Sequence, residues 1–454
     1  MAVENSPFFN RGMILALASL LAVWSGDCFL SRRAVARGEE HGFFRREGAP
    51  EALLFLISFL ALFLCNKHTF NFYNNYSYLA QALLKGRLNV PEMPEYLESI
   101  AFGGAKYMHF APGPSLLCLP FVALFGLQGV NASLLAMALG ALNGPLAMRL
   151  LKHLGIGKTP RERLWLSSLL VFGTVHFFLA ALGDSWFFGQ LAALFFLLLA
   201  MVLVTRPNAG NSLLFTFLGG LCFGLAVACR MSTLFGGLFF IGFLWYERKP
   251  RLAHFALFAL GAAVFGGLYM AYNYARFGTI MDLGYNLTYL KDKYRAAYDL
   301  LQAAPAEEQL SMLYRLNEEH GGPLQFKHVA YNLYSIFALP PSFSSEYPYV
   351  IPTVAGVAVT ITSPALFAAL FAPRKKTLSW VLLAATLVSA VPFLLNYGNG
   401  MAQFGMRYSM DFTPFLFLLA CMGLSPLNDW KKGLLSLCAL INIWGALFWT
   451  AFYR

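Results

Sequence analysis

The sequence predicts an all-α integral membrane protein of about twelve transmembrane helices, with interfacial helices in a first external loop and a larger external loop further on. Three observations predict it. Of 454 residues, 58% are hydrophobic and 12% charged, whereas an ordinary soluble domain is about 25% charged. The apolar residues form repeated runs of a length that crosses a bilayer as helix. The lysines and arginines gather mostly in alternate short loops, the distribution that marks the cytoplasmic side. The formal charge of +11 therefore reports topology, and nucleic acid is not expected as a partner. Cys28, Cys65, Cys118, Cys222, Cys229, Cys421 and Cys438 lie in or at the ends of apolar runs without CxxC or metal-ligand spacing, which reads as small buried hydrophobes.

Residues 1–50 comprise an extra N-terminal helix, 12–30, and a basic cytoplasmic linker, 31–50, with Arg32, Arg33, Arg37, Arg45 and Arg46. Only Arg11 precedes the apolar run and no small-x-small site follows it, which favours an uncleaved helix. Asp27 belongs near its end or against a neighbour, because an acid at mid-bilayer costs about 2.5–3.5 kcal/mol.

A transmembrane core, 51–272, begins with a span at 51–66 and a first external loop at 67–112. The stretch FYNNYSYLAQALLKG in that loop has helical periodicity with one apolar stripe, which suggests a helix lying in the interface. Residues 113–127 are apolar, short and preceded by proline, and the charge rule makes them a non-crossing element. Lys152, Lys158, Arg161 and Arg163 place 151–163 inside, so 130–150 is an inward span. Spans 164–182 and 186–204 form a hairpin with Gly183-Asp184-Ser185-Trp186 at its external tip, and Arg206 returns inside. Spans 212–229 and 232–246 form a second hairpin with Arg230 at its tip, before the cytoplasmic Arg248, Lys249 and Arg251.

Span 253–272 leads to the large external loop, 273–350, with polar helices expected around 288–300 and 306–319. The C-terminal part, 351–454, carries spans at 351–371, 378–395, 409–425 and 433–451, with Arg374-Lys375-Lys376 and Lys431-Lys432 at cytoplasmic turns. Both termini fall outside on this count. No internal repeat is evident, which weighs against an inverted-repeat transporter.

Five polar clusters share the external side: Tyr73-Asn74-Asn75-Tyr76 with Lys106, Tyr107 and His109; Asp184; Arg230; Tyr272 to Gly278 with Arg276, Asp282 and Tyr285; and Gln403 to Asp411 with Arg407 and Tyr408. Each has an ordinary explanation. Tyr73 and Tyr76 suit an interfacial aromatic belt, Arg276 a snorkelling side chain, His109 a solvated loop, and Arg407 with Asp411 an intrahelical pair worth about 0.3–0.5 kcal/mol. The conjunction says more. Arg230, Arg276 and Arg407 all sit at external boundaries where basic residues are depleted. Guanidinium forks match phosphate oxygens, so a lipid phosphate is the expected ligand. No Walker loop, GxGxxG, HExxH or GxSxG is present.

Residues 107–120 (YMHFAPGPSLLCLP), 224–230 (GLAVACR), 272–278 (YNYARFG) and 404–414 (FGMRYSMDFTP) resemble the GT-C superfamily of polytopic glycosyltransferases, near the bacterial protein O-mannosyltransferases and the aminoarabinose transferase. The resemblance covers most of 51–454. It implies inverting transfer of a sugar from a polyprenyl-phosphate carrier to a lipid, glycan or protein acceptor, at the outward, periplasmic face of a bacterial inner membrane. One displacement of that kind needs a base for the acceptor hydroxyl and stabilisation of the departing phosphate.

Arg230, Arg276 and Arg407 take the phosphate, with Lys106 and His109 as additions. Family members carry an acid early in the first external loop, where this chain has Asn74-Asn75. Asp184 is therefore the expected base, ahead of Glu92, Glu95, Glu98, Asp282 and Asp411. Tyr73, Asn74, Asn75, Tyr107, Tyr272, Asp282, Tyr285, Tyr408 and Asp411 would line the substrate groove, and the 324–338 stretch would flank it. No cofactor is expected. A divalent metal, as in the oligosaccharyl branch, has no DxD or carboxylate cluster to hold it here. The alternative function is a non-catalytic lipid-linked-sugar binding protein or translocase.

Overall fold

The computed structural model describes residues 48–66, 73–207, 212–248 and 250–452. The expected helix 12–30, with Asp27, and all but the end of the linker lie outside them. Among the described residues, six helices are long and apolar enough to cross a membrane: Ala132–His153, Ser185–Thr205, Ser212–Cys229, Arg251–Phe277, Thr377–Leu395 and Asp429–Phe452. A bent pair, Pro160–Phe172 and His176–Leu182, makes a seventh if counted as one span. The protein is an integral membrane protein built almost wholly of helix.

The helices of the described residues do not confirm the count of about twelve spans. Ala49–Cys65, Gly113–Phe125, Met231–Glu247 and Thr413–Leu424 are apolar but of 10–17 residues. A 13-residue helix rises only about 20 Å, short of a hydrocarbon core of about 30 Å. Hydropathy marks an apolar run without marking where its helix stops. The expected span 351–371 contains Val350–Ile351 paired with Ser342–Phe343, a four-residue helix Val359–Thr362 and a 3-10 stretch Pro364–Phe371. Pro352 and Pro364 punctuate it, and proline removes a backbone donor from the helix interior. The run 409–425 likewise divides, into a 3-10 turn Arg407–Asp411 and the helix Thr413–Leu424.

The span 164–182 is bent by 61° between Phe172 and His176. Backbone groups freed at such a break need internal partners in a membrane. The His176 ring supplies one: its Nδ1 lies 3.3 Å from the Val171 carbonyl and its Nε2 3.1 Å from Asn143 Nδ2. Thr174 Oγ1 donates to the Leu170 carbonyl at 2.7 Å.

Ser185–Thr205 is the most enclosed of the long helices and packs against Ala132–His153 and Ser212–Cys229. The last of these crosses Arg251–Phe277 at backbone contact. A Cβ on Gly220 would sit 2.2 Å from the Phe258 carbonyl oxygen, and one on Gly261 2.3 Å from that of Phe217. Small residues permit this approach, which is how helices associate where no hydrophobic drive separates protein from lipid.

On the side that the charge pattern assigns to the exterior, the two expected external segments fold together. Asn75–Leu84 forms the anticipated helix and packs on Gly113–Phe125. Ile100–Phe102 and Ala105–Tyr107 form a hairpin that turns through Gly103 and Gly104 at φ 57° and 72°, the left-handed pair of a two-residue turn. The second segment holds three helices where two were expected: Gly284–Lys293, Arg295–Ala303 and Gln309–His320. Ile100 and Phe102 share an apolar core with Phe277, Leu287, Leu290, Leu301 and Leu313. The Ala101 amide donates to the Tyr298 hydroxyl oxygen at 3.0 Å, which ties the hairpin to this cap.

Gly261→Val should therefore separate two helices and lower stability by at least the 1–3 kcal/mol typical of overpacking. Gly266→Ala, where a Cβ meets nothing within 4 Å, should be neutral or stabilising by up to about 1 kcal/mol. Thermal unfolding of the two variants in the same detergent checks the contrast.

Candidate active site

Gly183 reverses the chain after His176–Leu182 with φ 68°. A Cβ there would lie 2.8 Å from Ala136 Cβ and from Ser133 Cα, so a side chain is excluded. The reversal places Asp184 at the N-terminus of Ser185–Thr205, where its carbonyl accepts from the amides of Phe187 and Phe188 at 2.8 and 2.7 Å. Asp184 is only 6% exposed.

The first external loop is tied to this turn. Ser185 Oγ donates to the Tyr73 carbonyl at 2.6 Å and accepts from the Asn75 amide at 3.0 Å. The rings of Tyr73 and Trp186 pack at 4.7 Å. Asn75 is buried, and its side chain spans from Ser185 Oγ at 3.0 Å to the Glu98 carbonyl at 3.1 Å. Asn74 caps the following helix without a side-chain hydrogen bond and is half-buried.

The three arginines have different fates. Arg230 makes a two-point ion pair with Asp411, Nε to Oδ1 at 2.6 Å and Nη2 to Oδ2 at 3.1 Å. The expected Arg407–Asp411 intrahelical pair is not formed, because 407–411 winds as a 3-10 turn and Asp411 is taken by Arg230.

Arg276 is also committed. Its Nη1 donates to the Met108 carbonyl at 2.9 Å, its Nη2 to Asn273 Oδ1 at 2.7 Å, and Asp282 lies 3.6 Å away. Its guanidinium stacks 4.0 Å from the Tyr272 ring. Asp282 in turn accepts from the Tyr269 hydroxyl and from the Gly284 amide. Arg276, Tyr272 and Asp282 thus form a buried knot that holds the first loop to the end of Arg251–Phe277. Snorkelling does not describe an arginine 4% exposed.

Arg407 is the exception. It is 7% exposed, forms no ion pair among the described residues, and its Nε has no hydrogen-bond partner. Its backbone is fixed from two sides, since Gln190 Nε2 donates to its carbonyl and its amide donates to Gln403 Oε1, both at 3.2 Å. The guanidinium lies 5.6 Å from the ring of Phe187, the third residue after Asp184, and 5.1 Å from Tyr408. Arg230 lies 5.0 Å from the same Tyr408 ring. Gly400 makes the room: at φ 87°, a Cβ there would come within 3.0 Å of Arg407 Nε.

Tyr285 keeps 40% of its surface accessible while lying among Arg230, Tyr408, Asp282 and Asp411. Burial pushes its phenol up to about 12, so it stays protonated and can donate.

The remaining expectations divide. Lys106 sits in the hairpin and gives its ammonium to the Met93 carbonyl at 2.5 Å. Tyr107 packs edge-on against Phe277 at 5.7 Å, within the cap rather than in a groove. His109 is 3% exposed, not a solvated loop residue, and burial pushes its imidazole down to about 4. It is neutral near pH 7 and supplies no cation for a phosphate. Its Nε2 lies 3.5 Å from Glu98 Oε2, a carboxylate that also accepts from Trp186 Nε1 at 2.9 Å. Nothing local in the sequence distinguishes Glu98 from Glu92 and Glu95. Only the fold, through Trp186, separates it from them. Among the described residues no group of His, Cys, Asp and Glu is arranged to hold a metal ion.

Asp411→Asn should leave Arg230 buried without its counter-charge and cost about 3 kcal/mol or more. Arg407→Ala, which removes a buried charge lacking an anion, should leave unfolding temperature unchanged or raised; parallel thermal melts decide.

His109 binds a proton at about 6.5 when released from the fold and only at about 4 within it. The opened loop then binds more protons between those values, so loop stability falls as pH falls, by about 2 kcal/mol at pH 5. Hydrogen exchange across residues 100–110, corrected for intrinsic rates, should show lost protection at pH 5 relative to pH 7, and His109→Gln should abolish the difference.

A scan against protein-family models and a search of curated proteins found no match. Solved structures do match. An oligosaccharyltransferase from Archaeoglobus fulgidus, tethered to an acceptor peptide containing the NVT sequon, aligns with TM-score 0.50 at 13% identity over 88% of this chain and 55% of its own. ArnT from Cupriavidus metallidurans, bound to undecaprenyl phosphate, aligns with TM-score 0.50 at 13% identity over 86% of this chain and 62% of its own. The chain therefore spans between about half and three fifths of the length of these structures. Both are GT-C glycosyltransferases, and the fold of this chain is theirs.

Proposed function

We propose that the protein transfers a sugar from a polyprenyl-phosphate carrier to an acceptor hydroxyl, with inversion, on the periplasmic face of a bacterial inner membrane. The observation that carries this reading is Arg407: a buried guanidinium without an anion among the described residues, 5.1 Å from the ring of Tyr408 and 5.6 Å from that of Phe187, which stands one helical turn after Asp184. A buried charge without a partner is costly, and its retention is explained when a ligand supplies the missing anion. A phosphate diester matches the guanidinium fork, and the likeness in fold to a transferase crystallised with undecaprenyl phosphate supports a lipid-borne one.

In the displacement, the acceptor oxygen bonds to the anomeric carbon as that carbon's bond to the phosphate oxygen breaks. The acceptor proton passes to the Asp184 carboxylate, and the polyprenyl phosphate leaves as an anion against Arg407. Arg230 keeps its Nη1 outside the pair with Asp411, so it adds one donor to the phosphate while its charge is largely compensated. Arg276, Lys106 and His109 act by holding the first loop in place. Stabilising charge that develops on a leaving group is often the largest contribution to such catalysis. The acceptor is a lipid, glycan or protein, and the reading requires no metal.

Purified protein in nanodiscs, given a panel of labelled undecaprenyl-phosphate sugars and a cell-envelope fraction as acceptor, tests the reading. Asp184→Asn should lower turnover by about 100-fold or more with undecaprenyl phosphate affinity unchanged. Arg407→Ala should weaken undecaprenyl phosphate binding about tenfold or more, the worth of a hydrogen bond to a charged group. Full turnover in Asp184→Asn removes Asp184 as base. Carrier binding without transfer by the wild type returns the non-catalytic alternative.

A further inference from the structure

Glu98 is held in a way that an incidental surface carboxylate is not. Both protein contacts to its carboxylate fall on one oxygen: Trp186 Nε1 donates to Oε2 at 2.9 Å and His109 Nε2 lies 3.5 Å from the same atom. Oε1 has no partner among the described residues, and the side chain is 51% exposed. The backbone is fixed as well, because Asn75 Nδ2 donates to the Glu98 carbonyl. The opposite end of that amide meets Ser185, the residue next to Asp184. One side chain thus braces Glu98 against the turn that carries Asp184.

The groups that orient Glu98 are neutral. Trp186 donates an indole N–H, and His109 is uncharged near pH 7. No lysine or arginine pairs with the carboxylate among the described residues; Lys291, on the neighbouring helix, gives its ammonium to the Ser99 carbonyl at 2.9 Å, and Lys85 pairs with Glu92. No cation among the described residues therefore compensates Glu98, which leaves the carboxylate open to an external partner. An ionised carboxylate only accepts hydrogen bonds, so that partner must donate. The Trp186 ring that contacts Glu98 also packs on Tyr73, which sets an apolar surface beside the carboxylate.

We propose that Glu98 binds the acceptor, its free Oε1 accepting a hydrogen bond from a hydroxyl or ammonium next to the reacting hydroxyl, with Trp186 and His109 as positioning residues. Such an acceptor is polyhydroxylated or amino-bearing, with the Tyr73–Trp186 pair against its apolar face. The inference rests on the transferase reading and assigns Glu98 the acceptor, as distinct from the proton that goes to Asp184.

The test measures initial rates of sugar transfer against envelope-fraction concentration, together with undecaprenyl phosphate affinity, for wild type, Glu98→Gln, Glu98→Asp, Trp186→Phe and Glu92→Gln. Glu98→Gln should raise the half-saturating acceptor concentration about tenfold or more, with the saturated rate within about threefold and carrier affinity unchanged. Trp186→Phe should move the same quantity less, Glu98→Asp should recover part of the loss, and Glu92→Gln should match wild type. Repeating the titration at 0.5 M salt separates the two donor chemistries, since the loss shrinks for an ammonium and persists for a hydroxyl. An unchanged half-saturating concentration in Glu98→Gln, or a lost saturated rate in its place, overturns the acceptor role while leaving the transferase reading intact. No transfer by the wild type overturns both.

Discussion

The ion pair between Arg230 and Asp411 is the interaction on which the rest of the site depends. It joins the end of Ser212–Cys229 to the 3-10 turn Arg407–Asp411, segments 181 residues apart in sequence. A two-point guanidinium–carboxylate contact fixes angle as well as distance. By taking Asp411, Arg230 leaves Arg407 without a carboxylate, while Gln190 and Gln403 hold the Arg407 backbone where it is. The fold thereby compensates one arginine and leaves its neighbour beside the same Tyr408 ring without an anion among the described residues. Arg276 is compensated in its own way: Asp282, Asn273 and the Met108 carbonyl take its two terminal nitrogens, and its Nε, like that of Arg407, has no partner among the described residues. Of three arginines at comparable positions in the charge pattern, one is left for a ligand.

Much of this was legible in the sequence, for identifiable reasons. The apolar runs and the alternation of basic loops marked the helices, because burial in lipid imposes composition on every spanning residue. The helix at Asn75–Leu84 showed as a periodic stripe. Helix ends were less visible. Pro352, Pro364 and Gly173 break apolar runs whose hydropathy continues through them, so a count of runs is not a count of long helices. The motif YNYARFG straddles the end of the expected span at 272, yet residues to Phe277 are helical and only Gly278 turns. Its polar residues face a partner segment that hydropathy does not reveal.

The site was legible as a set and not as an assignment. That Arg230, Arg276 and Arg407 break the charge rule is written in their positions. Which of them is compensated depends on Asp411 and Asp282, and pairing of that kind is decided by tertiary contact. His109 illustrates the limit from the other side. A loop histidine reads as solvated, but packing against Phe110 and Tyr285 buries it and removes its charge. Glu98 looked like its neighbours Glu92 and Glu95 because nothing local distinguishes them; the indole of Trp186 does so from 88 residues away. Asn75, an amide where an acid was expected, braces the first loop against Ser185 and Glu98.

The central claim is that Arg407 binds the phosphate of a lipid carrier. A cryo-EM reconstruction of the protein in nanodiscs with undecaprenyl phosphate tests it most directly. The account predicts phosphate density within about 3 Å of the Arg407 guanidinium nitrogens, with the Arg230–Asp411 pair intact. Phosphate bound elsewhere, with Arg407 closed onto a protein carboxylate, would contradict it.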